Sequence, residues 1–377
     1  MKSFGLPLGT SAAALAILLV TGCAGTPAPY APSMPSNTSE RAMPAKAAVR
    51  VWGRNMMMVP LPGAGCFRAS YPAAGWTRVA CVAPPRVWFP PRTRGPIDPA
   101  VIGNGNDYGI DVSPLTMLGA IGSFTSVSGV KAITSCPPRF AKGNTCGTHG
   151  YGSNVYSIQL NSNNFSTAVC AKQIDCVGWE QFVYTNQPKD YGGGGNLIIQ
   201  DWLLSTASHK IACPRNAGWS RSGDDCVRNA PYAVLVPNVP IADLDQLGLS
   251  GSATPSGDSA FLAVDGYVYG MKNAQHDGIT DLSQHWTGAE FNILGNGGGT
   301  RAVFNAGSTV TIGLEAITGY NTVPRCRGNA GTTAEENNLS FVAAPANPPK
   351  QQYPSIAFTE SNAASGNAPS CVAVPGL

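Results

Sequence analysis

Short apolar runs separated by turn residues fill the chain from about residue 107 to its C-terminus. Within these runs apolar and polar side chains tend to alternate with a period of two, which is typical of strands, and Gly, Asn or Pro stands at the breaks. No helical period is sustained over three turns after the first 22 residues. The pattern predicts an all-β chain folded as a two-sheet antiparallel β-sandwich. Examples of the runs are NVYSIQLN, GWEQFVYTN, NLIIQDWLLS, SAFLAVDGYVYGMK and AEFNILG.

The run HWTGAEFNIL carries a carboxylate in an otherwise uncharged strand. With a period of two, Phe291 and Ile293 lie on one side, and Trp286, Glu290 and Asn292 lie on the other. The first side suits a hydrophobic core. The second suits either a polar surface or an active site.

Three other runs also place amides and indoles on one side of a strand. In GWEQFVYTN, Gln181 shares a face with Trp179. In NLIIQDWLLS, Gln200 shares a face with Trp202. In NVYSIQLN, Ser157, Gln159 and Asn161 share a polar face. We therefore expect one sheet to carry a floor of amides and tryptophans.

The N-terminus resembles an export signal. Residues 1–22 combine a single Lys with an apolar run over residues 12–20, too short for a permanent membrane span. The small residues before Cys23 resemble the bacterial lipobox, which implies cleavage before Cys23 and acylation of its thiol; an ordinary signal peptide with a chance cysteine is the alternative. Residues 23–48, rich in Pro, Ser and Ala, are then a flexible tether. We expect an exported protein, lipid-anchored in the bacterial cell envelope at the outer membrane or cell surface.

Removing Cys23 from the eleven cysteines leaves ten, an even number that suits five disulfides in an oxidising compartment. Sequence alone leaves their connectivity open. A structural zinc is the rival interpretation, but there is no C-x-x-C pair and the four histidines form no ligand-spaced cluster, so we expect neither a metal nor another cofactor. The spacing favours pairs of neighbours, namely Cys66–Cys81, Cys136–Cys146, Cys170–Cys176, Cys213–Cys226 and Cys326–Cys371.

The composition argues against nucleic-acid binding and suits an exported β protein. Charged residues make up 12% of the chain and the net charge is +3, without the clustered Lys and Arg that nucleic-acid binding needs. The 44 Gly and 31 Pro suit an exported β-sandwich with many turns. No G-x-S-x-G or H-E-x-x-H motif occurs, and the glycine runs lack the Lys and the following helix of a phosphate loop.

Two regions are expected after the tether. Residues 49–94 form a cysteine-looped N-terminal unit with a Pro-rich linker, and residues 95–377 form the sandwich. The aromatic residues of the loop, Phe67, Tyr71 and Trp76, either pack on the main domain or form an independent knob that binds a ligand. The prolines of APPRVWFPPRTRGP cannot continue a central strand, so a linker or an edge segment is expected there.

The order of these strands resembles that of the glutamic peptidases, or eqolisins. YSIQLN, GWEQFVYTN, IIQDWLL, GAEFNIL and FNAGSTVTI follow the family order over residues 123–314, and Ala289-Glu290-Phe291 is the sharpest element. The resemblance implies a jelly-roll or concanavalin-like sandwich with a catalytic Glu and Gln on the concave face of one sheet. Glu290 matches that Glu. Gln181 matches the Gln if EQFVY is the corresponding strand, and Gln159 matches it if the register lies one strand earlier.

The resemblance implies an acid-active endopeptidase. Glu290 would act as general base toward water, and Gln181 would donate a hydrogen bond to the oxyanion. An unperturbed Glu, with a pKa of about 4.3, is ionised even in a mildly acidic medium.

Two alternatives stay open. Trp179, Trp202 and Trp286, with amides such as Gln159, would suit a face that binds substrate, either a polypeptide or a glycan on whose sugar rings the indoles stack. Glu290 and Gln181 would otherwise be ordinary residues of a solvated sheet face in a non-catalytic envelope protein.

Overall fold

The computed structural model describes residues 46–91, 107–137, 139–140, 145–187, 194–207, 209–215, 218–273, 280–328, 332–348, 350–363 and 370–377. The predicted signal peptide, Cys23 and most of the tether lie outside these residues. In chain order the elements are α1 (Lys46–Met57), β1 (Gly65–Ser70), β2 (Thr77–Val79), β3 (Cys81–Val82), β4 (Tyr108–Asp111), β5 (Gly119–Ser128), β6 (Ile133–Cys136), β7 (Tyr156–Ser162), β8 (Cys176–Asn186), β9 (Gly195–Ser205), β10 (Ser220–Ser222), β11 (Asp225–Asn229), β12 (Ala233–Val236), β13 (Gly248–Ser252), β14 (Asp258–Val264), β15 (Tyr267–Asn273), α2 (Leu282–His285), β16 (Gly288–Leu294), β17 (Arg301–Phe304), β18 (Thr309–Ile317), β19 (Arg325–Gly328), β20 (Glu336–Asn337), β21 (Ser340–Val342), β22 (Ser355–Ser361) and β23 (Cys371–Val374), with short 3-10 helices at Gly147–His149 and Ile241–Gln246.

The described strands form two large sheets of ten strands each. The first sheet has the order β2-β1-β15-β14-β13-β5-β18-β22-β21, with β23 beside β22. The second sheet has the order β10-β11-β9-β8-β7-β16-β4-β19, with β12 beside β9 and β3 beside β12. A third sheet has the order β20-β17-β6. The predicted all-β, two-sheet antiparallel sandwich is therefore confirmed.

The main core lies between the two large sheets, and two glycines of the first sheet allow aromatic rings of the second to approach closely. A Cβ added at Gly122 would lie 2.1 Å from the ring of Phe291, and one added at Gly251 would lie 2.4 Å from the ring of Phe182. Phe291 also packs against Phe124 of the first sheet, with ring centroids 5.3 Å apart. The predicted core side of β16 is thus its core side in the structure.

The expectation of no sustained helix is wrong, because α1 covers twelve residues. Its sequence, KAAVRVWGRNMM, brings Gly53, Met56 and Met57 to one buried face, which fits helical spacing. The helix begins at Lys46, inside the segment expected as tether. Its buried methionines share a hydrophobic cluster with Phe67 of β1, on the outer side of the first sheet.

The cysteine-looped segment contributes strands to both large sheets. β1 pairs with β15 of the first sheet, and β3 pairs with β12 of the second. Trp76 packs against Phe261 of β14, with ring centroids 5.9 Å apart, so at this position packing is confirmed. Residues 92–94, the end of the expected linker, lie outside the described residues.

All five expected neighbouring cysteine pairs are disulfides. Their number indicates an oxidising, extracytoplasmic environment. Over the described ranges, we find no helix with the length and apolar character needed to cross a membrane.

Candidate functional site

One row of polar side chains crosses five neighbouring strands of the second sheet. Glu290 of β16 lies opposite Asn161 of β7, which lies opposite Gln181 of β8. Gln181 lies opposite Gln200 of β9, which lies opposite Asn229 of β11. Directly opposed residues in an antiparallel sheet share a face, so the five side chains form a continuous line, which we call the polar row.

Hydrogen bonds connect the polar row from end to end. The Asn161 amide donates to Glu290 Oε2 at 3.4 Å and accepts from Gln181 Nε2 at 3.1 Å. Trp202 Nε1 donates to both Gln181 Oε1 and Gln200 Oε1, at 3.2 and 3.0 Å. Gln200 then donates to Asn229 Oδ1 at 2.7 Å. The predicted face of amides therefore exists as one connected network.

The two catalytic candidates stand on the same face with one residue between them. Neighbouring strands lie about 4.8 Å apart, so Glu290 and Gln181 are about 10 Å apart at their Cα atoms, and Asn161 separates them. Gln159, the alternative amide, accepts from Gln181 Nε2 at 3.2 Å. The two candidate amides thus touch each other. The amide that donates to Glu290 is that of Asn161, which sequence reasoning placed on the face but did not choose.

The three candidate tryptophans do not form one surface. Trp179 and Trp202 lie on the face of the polar row, with ring centroids 6.3 Å apart. Trp286 instead stacks on Phe182 in the core between the sheets, with centroids 5.5 Å apart. The expectation that Trp286 shares a face with Glu290 is wrong, because β16 begins only at Gly288 and the alternation of the strand does not reach back to Trp286.

Three buried carboxyls meet at the Glu290 end of the polar row. Asp107 precedes β4, Glu360 comes from β22 of the first sheet, and neither has any exposed surface. Asn292 of β16 donates to both of these carboxyls, at 3.1 Å to Glu360 Oε2. The Asp107 carboxyl is in hydrogen-bonding contact with those of Glu290 and Glu360. We call Asp107, Glu290 and Glu360 the acid cluster.

Burial raises the pKa of every carboxyl in the acid cluster. For Asp107 the rise is large, because the nearby charges of Glu360 and Glu290 add to the loss of hydration. For Glu360 burial raises the pKa to about 7 despite hydrogen bonds from Asn292. Burial also raises the pKa of Glu290, partly offset by hydrogen bonds from Thr332 and with Asp107. The assumption of an unperturbed Glu290 is therefore wrong, and the proton-accepting form of this carboxyl needs a higher pH than expected.

One oxygen of each carboxyl in the acid cluster lacks a hydrogen-bond partner among the described residues. Asp107 Oδ2, Glu290 Oε1 and Glu360 Oε1 are buried, and no amide or hydroxyl group of the described chain donates to them. Carboxyl oxygens in such contact satisfy one another only when protons lie between them. The unpartnered oxygens and the raised pKa values both favour protonated carboxyls in the cluster. In the described part of the chain, no set of three or more His, Cys, Asp or Glu side chains is arranged to hold a metal ion.

A fourth buried carboxyl comes from a segment that lies over the row. Thr332 donates to Glu290 Oε2, and three residues further on, Glu335 accepts from the backbone of Gly299 at 2.9 Å. Glu335 also hydrogen-bonds the side chain of Gln159. Burial raises the pKa of Glu335 to about 8, against the opposing effect of these hydrogen bonds.

The Pro-rich segment expected as a linker or an edge covers the other end of the row. We call residues 85–91, PRVWFPP, the strap. Asn229 Nδ2 donates to Pro85 O at 3.1 Å, and Gln200 Nε2 donates to Val87 O at 3.2 Å. Gln200 Oε1 accepts from the Phe89 backbone N–H at 3.0 Å. The strap therefore binds to the side chains of the row through its own backbone.

The strap ends beside the segment that contacts Glu290. Ala334 N donates to Pro90 O at 2.9 Å, and Pro91 forms a β-bridge with Thr333. The strap and the 332–335 segment together shield the face. Consequently Glu290, Gln181, Gln159, Trp179 and Trp202 each have 0% exposed surface. Sequence patterning predicted the face, but it did not predict that the chain covers it.

No protein-family model matches the chain, and no curated protein matches its sequence.

Proposed function

We propose that the chain is an exported peptidase, lipid-anchored through Cys23, that hydrolyses extended polypeptides at the Glu290 end of the polar row. The single observation that carries this proposal is the strap. The face next to the candidate site holds a stretch of polypeptide by its backbone, through the side-chain amides of Gln200 and Asn229. A face that binds backbone in this way suits a peptide substrate.

The chemistry follows from the order of the row. Asn161 is shorter than its neighbours by one methylene, so a peptide carbonyl above it would lie between the Glu290 carboxyl and the Gln181 amide. Glu290 would take a proton from the attacking water and return it to the leaving amine. Gln181 would donate to the oxyanion. Its Nε2 donates to Asn161 Oδ1 and Gln159 Oε1 in the covered face, so the substrate carbonyl would have to replace one of these two acceptors, while Trp202 holds Gln181 Oε1 in place.

The acid cluster supplies the proton partner. When one carboxyl of a close pair ionises, its charge disfavours ionisation of the other. Asp107 can therefore keep a proton while Glu290 is ionised. Because burial raises the pKa of Glu290, the rate should fall toward acid at a higher pH than for an exposed Glu.

A glycan-binding face is the weaker proposal. Stacking on sugar rings needs an accessible set of indoles, but Trp286 lies in the core between the sheets and Trp179 packs beside Trp202. The strap contacts on this face are peptide contacts.

The test is cleavage of an unfolded, disulfide-free protein from about pH 2 to pH 9, by the wild type and by a Phe89→Ala variant in which the strap is weakened. Glu290→Gln in both backgrounds should lower the rate about a hundredfold or more, because proton transfer is lost while shape is kept. Gln181→Ala should lower kcat more than it raises KM, because the oxyanion donor acts in the transition state.

Gln159→Ala identifies the amide that acts. An effect larger than that of Gln181→Ala would move the oxyanion role to Gln159. The peptidase proposal is lost if neither background cleaves at any pH, or if Glu290→Gln cleaves as fast as its parent.

A further inference from the structure

The strap has the contacts of a bound peptide. Four of its backbone carbonyls accept hydrogen bonds: Asn229 binds Pro85 O, Gln200 binds Val87 O, the Gly298 backbone N–H binds Trp88 O at 2.8 Å, and the Ala334 backbone N–H binds Pro90 O. One side chain, that of Gln200, binds an N–H and a carbonyl of the strap together, as a neighbouring strand would. This backbone recognition tolerates many side chains.

Side chains of the strap also pack on the second sheet, and the half-buried Trp88 contacts the cluster of Trp179 and Trp202. Phe89 has 0% exposed surface and packs in an apolar pocket formed by Val183, Ile198 and Ala233 of the second sheet. Arg86, by contrast, is exposed. Burying an apolar ring removes a large apolar area from water, so the pocket distinguishes an aromatic residue from a small or charged one.

The prolines fit the same contacts. Apart from the N–H of Phe89, the backbone groups of the strap in these bonds are carbonyls, including that of Pro90, which accepts from Ala334 N at 2.9 Å. Proline lacks an N–H and its φ is already fixed, so it loses no donor here and costs little ordering entropy.

We propose that the face under the strap, formed by Gln200, Asn229 and the Phe89 pocket and called the groove below, is a recognition site for polypeptides that carry an aromatic residue followed by proline. The strap is its ligand within the same chain. This proposal deepens the proposed function by giving the substrate class of the same face. A tethered ligand has a high effective concentration, so a free peptide competes poorly until the strap is weakened. The groove is therefore closed to other polypeptides by the chain itself.

The test is binding, measured without catalysis. A fluorescein-labelled peptide with the sequence of residues 85–91 is titrated with the full chain carrying Glu290→Gln and Phe89→Ala, and anisotropy is recorded. We expect saturable binding, and at least tenfold weaker binding of the same peptide with Ala in place of Phe. The Glu290→Gln chain with its native strap should bind the Phe peptide at least tenfold more weakly than the strap variant does.

Two further variants distinguish a loosened strap from a general folding defect. Phe89→Leu loosens the pocket while keeping an apolar side chain, and it should also increase peptide binding over the native strap. Phe67→Leu removes the same atoms from a different cluster, beside α1, and should bind the peptide no better than its Glu290→Gln parent. Near-ultraviolet circular dichroism of each variant confirms that it is folded.

The outcomes separate the two proposals. Selective binding without cleavage of any substrate supports the groove and overturns the peptidase. Equal binding of the Phe and Ala peptides, no binding by either loosened variant, or equal gains for Phe89→Leu and Phe67→Leu overturns the groove, and leaves the cleavage test of Glu290 standing on its own.

Discussion

The buried carboxyls predict that the protein loses stability as the pH rises. Burial raises the pKa of Glu335 from its usual 4.5 to about 8, and that of Glu360 from 4.5 to about 7. The folded chain therefore binds more protons than the unfolded chain between these values. By linkage, the stabilising contribution is fully present below about pH 4.5 and is lost as the pH rises through 7 and 8.

The size of the effect follows from the same values. A tenfold change in proton affinity corresponds to about 1.4 kcal/mol, so ionising Glu335 in the folded chain costs about 5 kcal/mol and ionising Glu360 about 3 kcal/mol. Because the carboxyl of Glu360 interacts with those of Asp107 and Glu290, the free energy assigned to Glu360 belongs to the acid cluster as a whole. Allowing for relaxation around the buried charges, we expect a net loss of at least about 3 kcal/mol between pH 4.5 and pH 8.5.

Asp111 has a pKa shift in the opposite direction, and it does not affect stability between pH 4.5 and pH 8.5. Burial alone would raise the pKa of Asp111, but hydrogen bonds from Ser113 and Arg327 lower it. The contribution of Asp111 is present above its unfolded pKa of 3.8 and is lost only as the pH falls through its lower folded value. Above pH 4.5 it is constant.

Equilibrium urea unfolding at half-unit pH steps measures the effect, with the midpoint and slope analysed at each pH. Glu335→Gln should flatten the curve between about pH 4.5 and pH 8, because the side chain can no longer ionise. Its exposed neighbour offers the control, since Glu336→Gln should leave the curve unchanged. Stability that is constant or rising from pH 4.5 to pH 8.5, or equal slopes for the wild type and Glu335→Gln, would refute the reasoning.

Three further predictions address other parts of the chain. Cys23→Ser should abolish incorporation of labelled lipid, since acylation needs the thiol, and labelling that persists would contradict the anchor. The denatured, unreduced mature protein should show no reactive thiol, and two or more reactive thiols would break the scheme of five disulfides. Gly122→Ala should destabilise the fold by about 1–3 kcal/mol in urea unfolding, because the new Cβ meets the ring of Phe291. Gly63→Ala is the control, since its Cβ meets no atom within 4 Å and should leave the stability unchanged. Equal effects of the two substitutions would contradict the close approach of the sheets.

Period-two patterning predicted the sandwich and most of the polar face because both depend on local geometry. Gln181 and Trp179 share a face for the same reason that Phe182 faces the core. The rule failed for Trp286, which lies just after α2 and before β16 begins. It also missed α1, whose apolar face spans only three turns and lies beside a Pro-rich tether.

The acid cluster could be predicted only in part. Glu360 stands alone in SIAFTES as Glu290 stands alone in its own strand, and this shared signal could have identified it. Asp107 and Glu335 carry no such signal, since they lie outside the apolar runs. Their contacts with the row arise from tertiary packing across more than 150 residues of chain, which no local pattern records.

The covering of the face changes what the resemblance to glutamic peptidases implies for pH. An open, solvated Glu would be ionised in mild acid and ready to act as a base. In the acid cluster burial raises the pKa of all three carboxyls, and the charge of Glu290 raises those of Asp107 and Glu360 further, so a mildly acidic medium favours the ionised form of Glu290 less than it does for an exposed Glu. As the pH rises, the first proton leaves and its charge holds the remaining protons more tightly. The state with one carboxylate beside a neutral carboxyl, which supplies base and acid together, is therefore populated nearer to neutrality than the resemblance alone implies. Glu335 of the covering segment ionises separately, since burial raises its pKa to about 8. A peptidase built on this face would therefore gain its proton acceptor at a higher pH than an exposed Glu would provide.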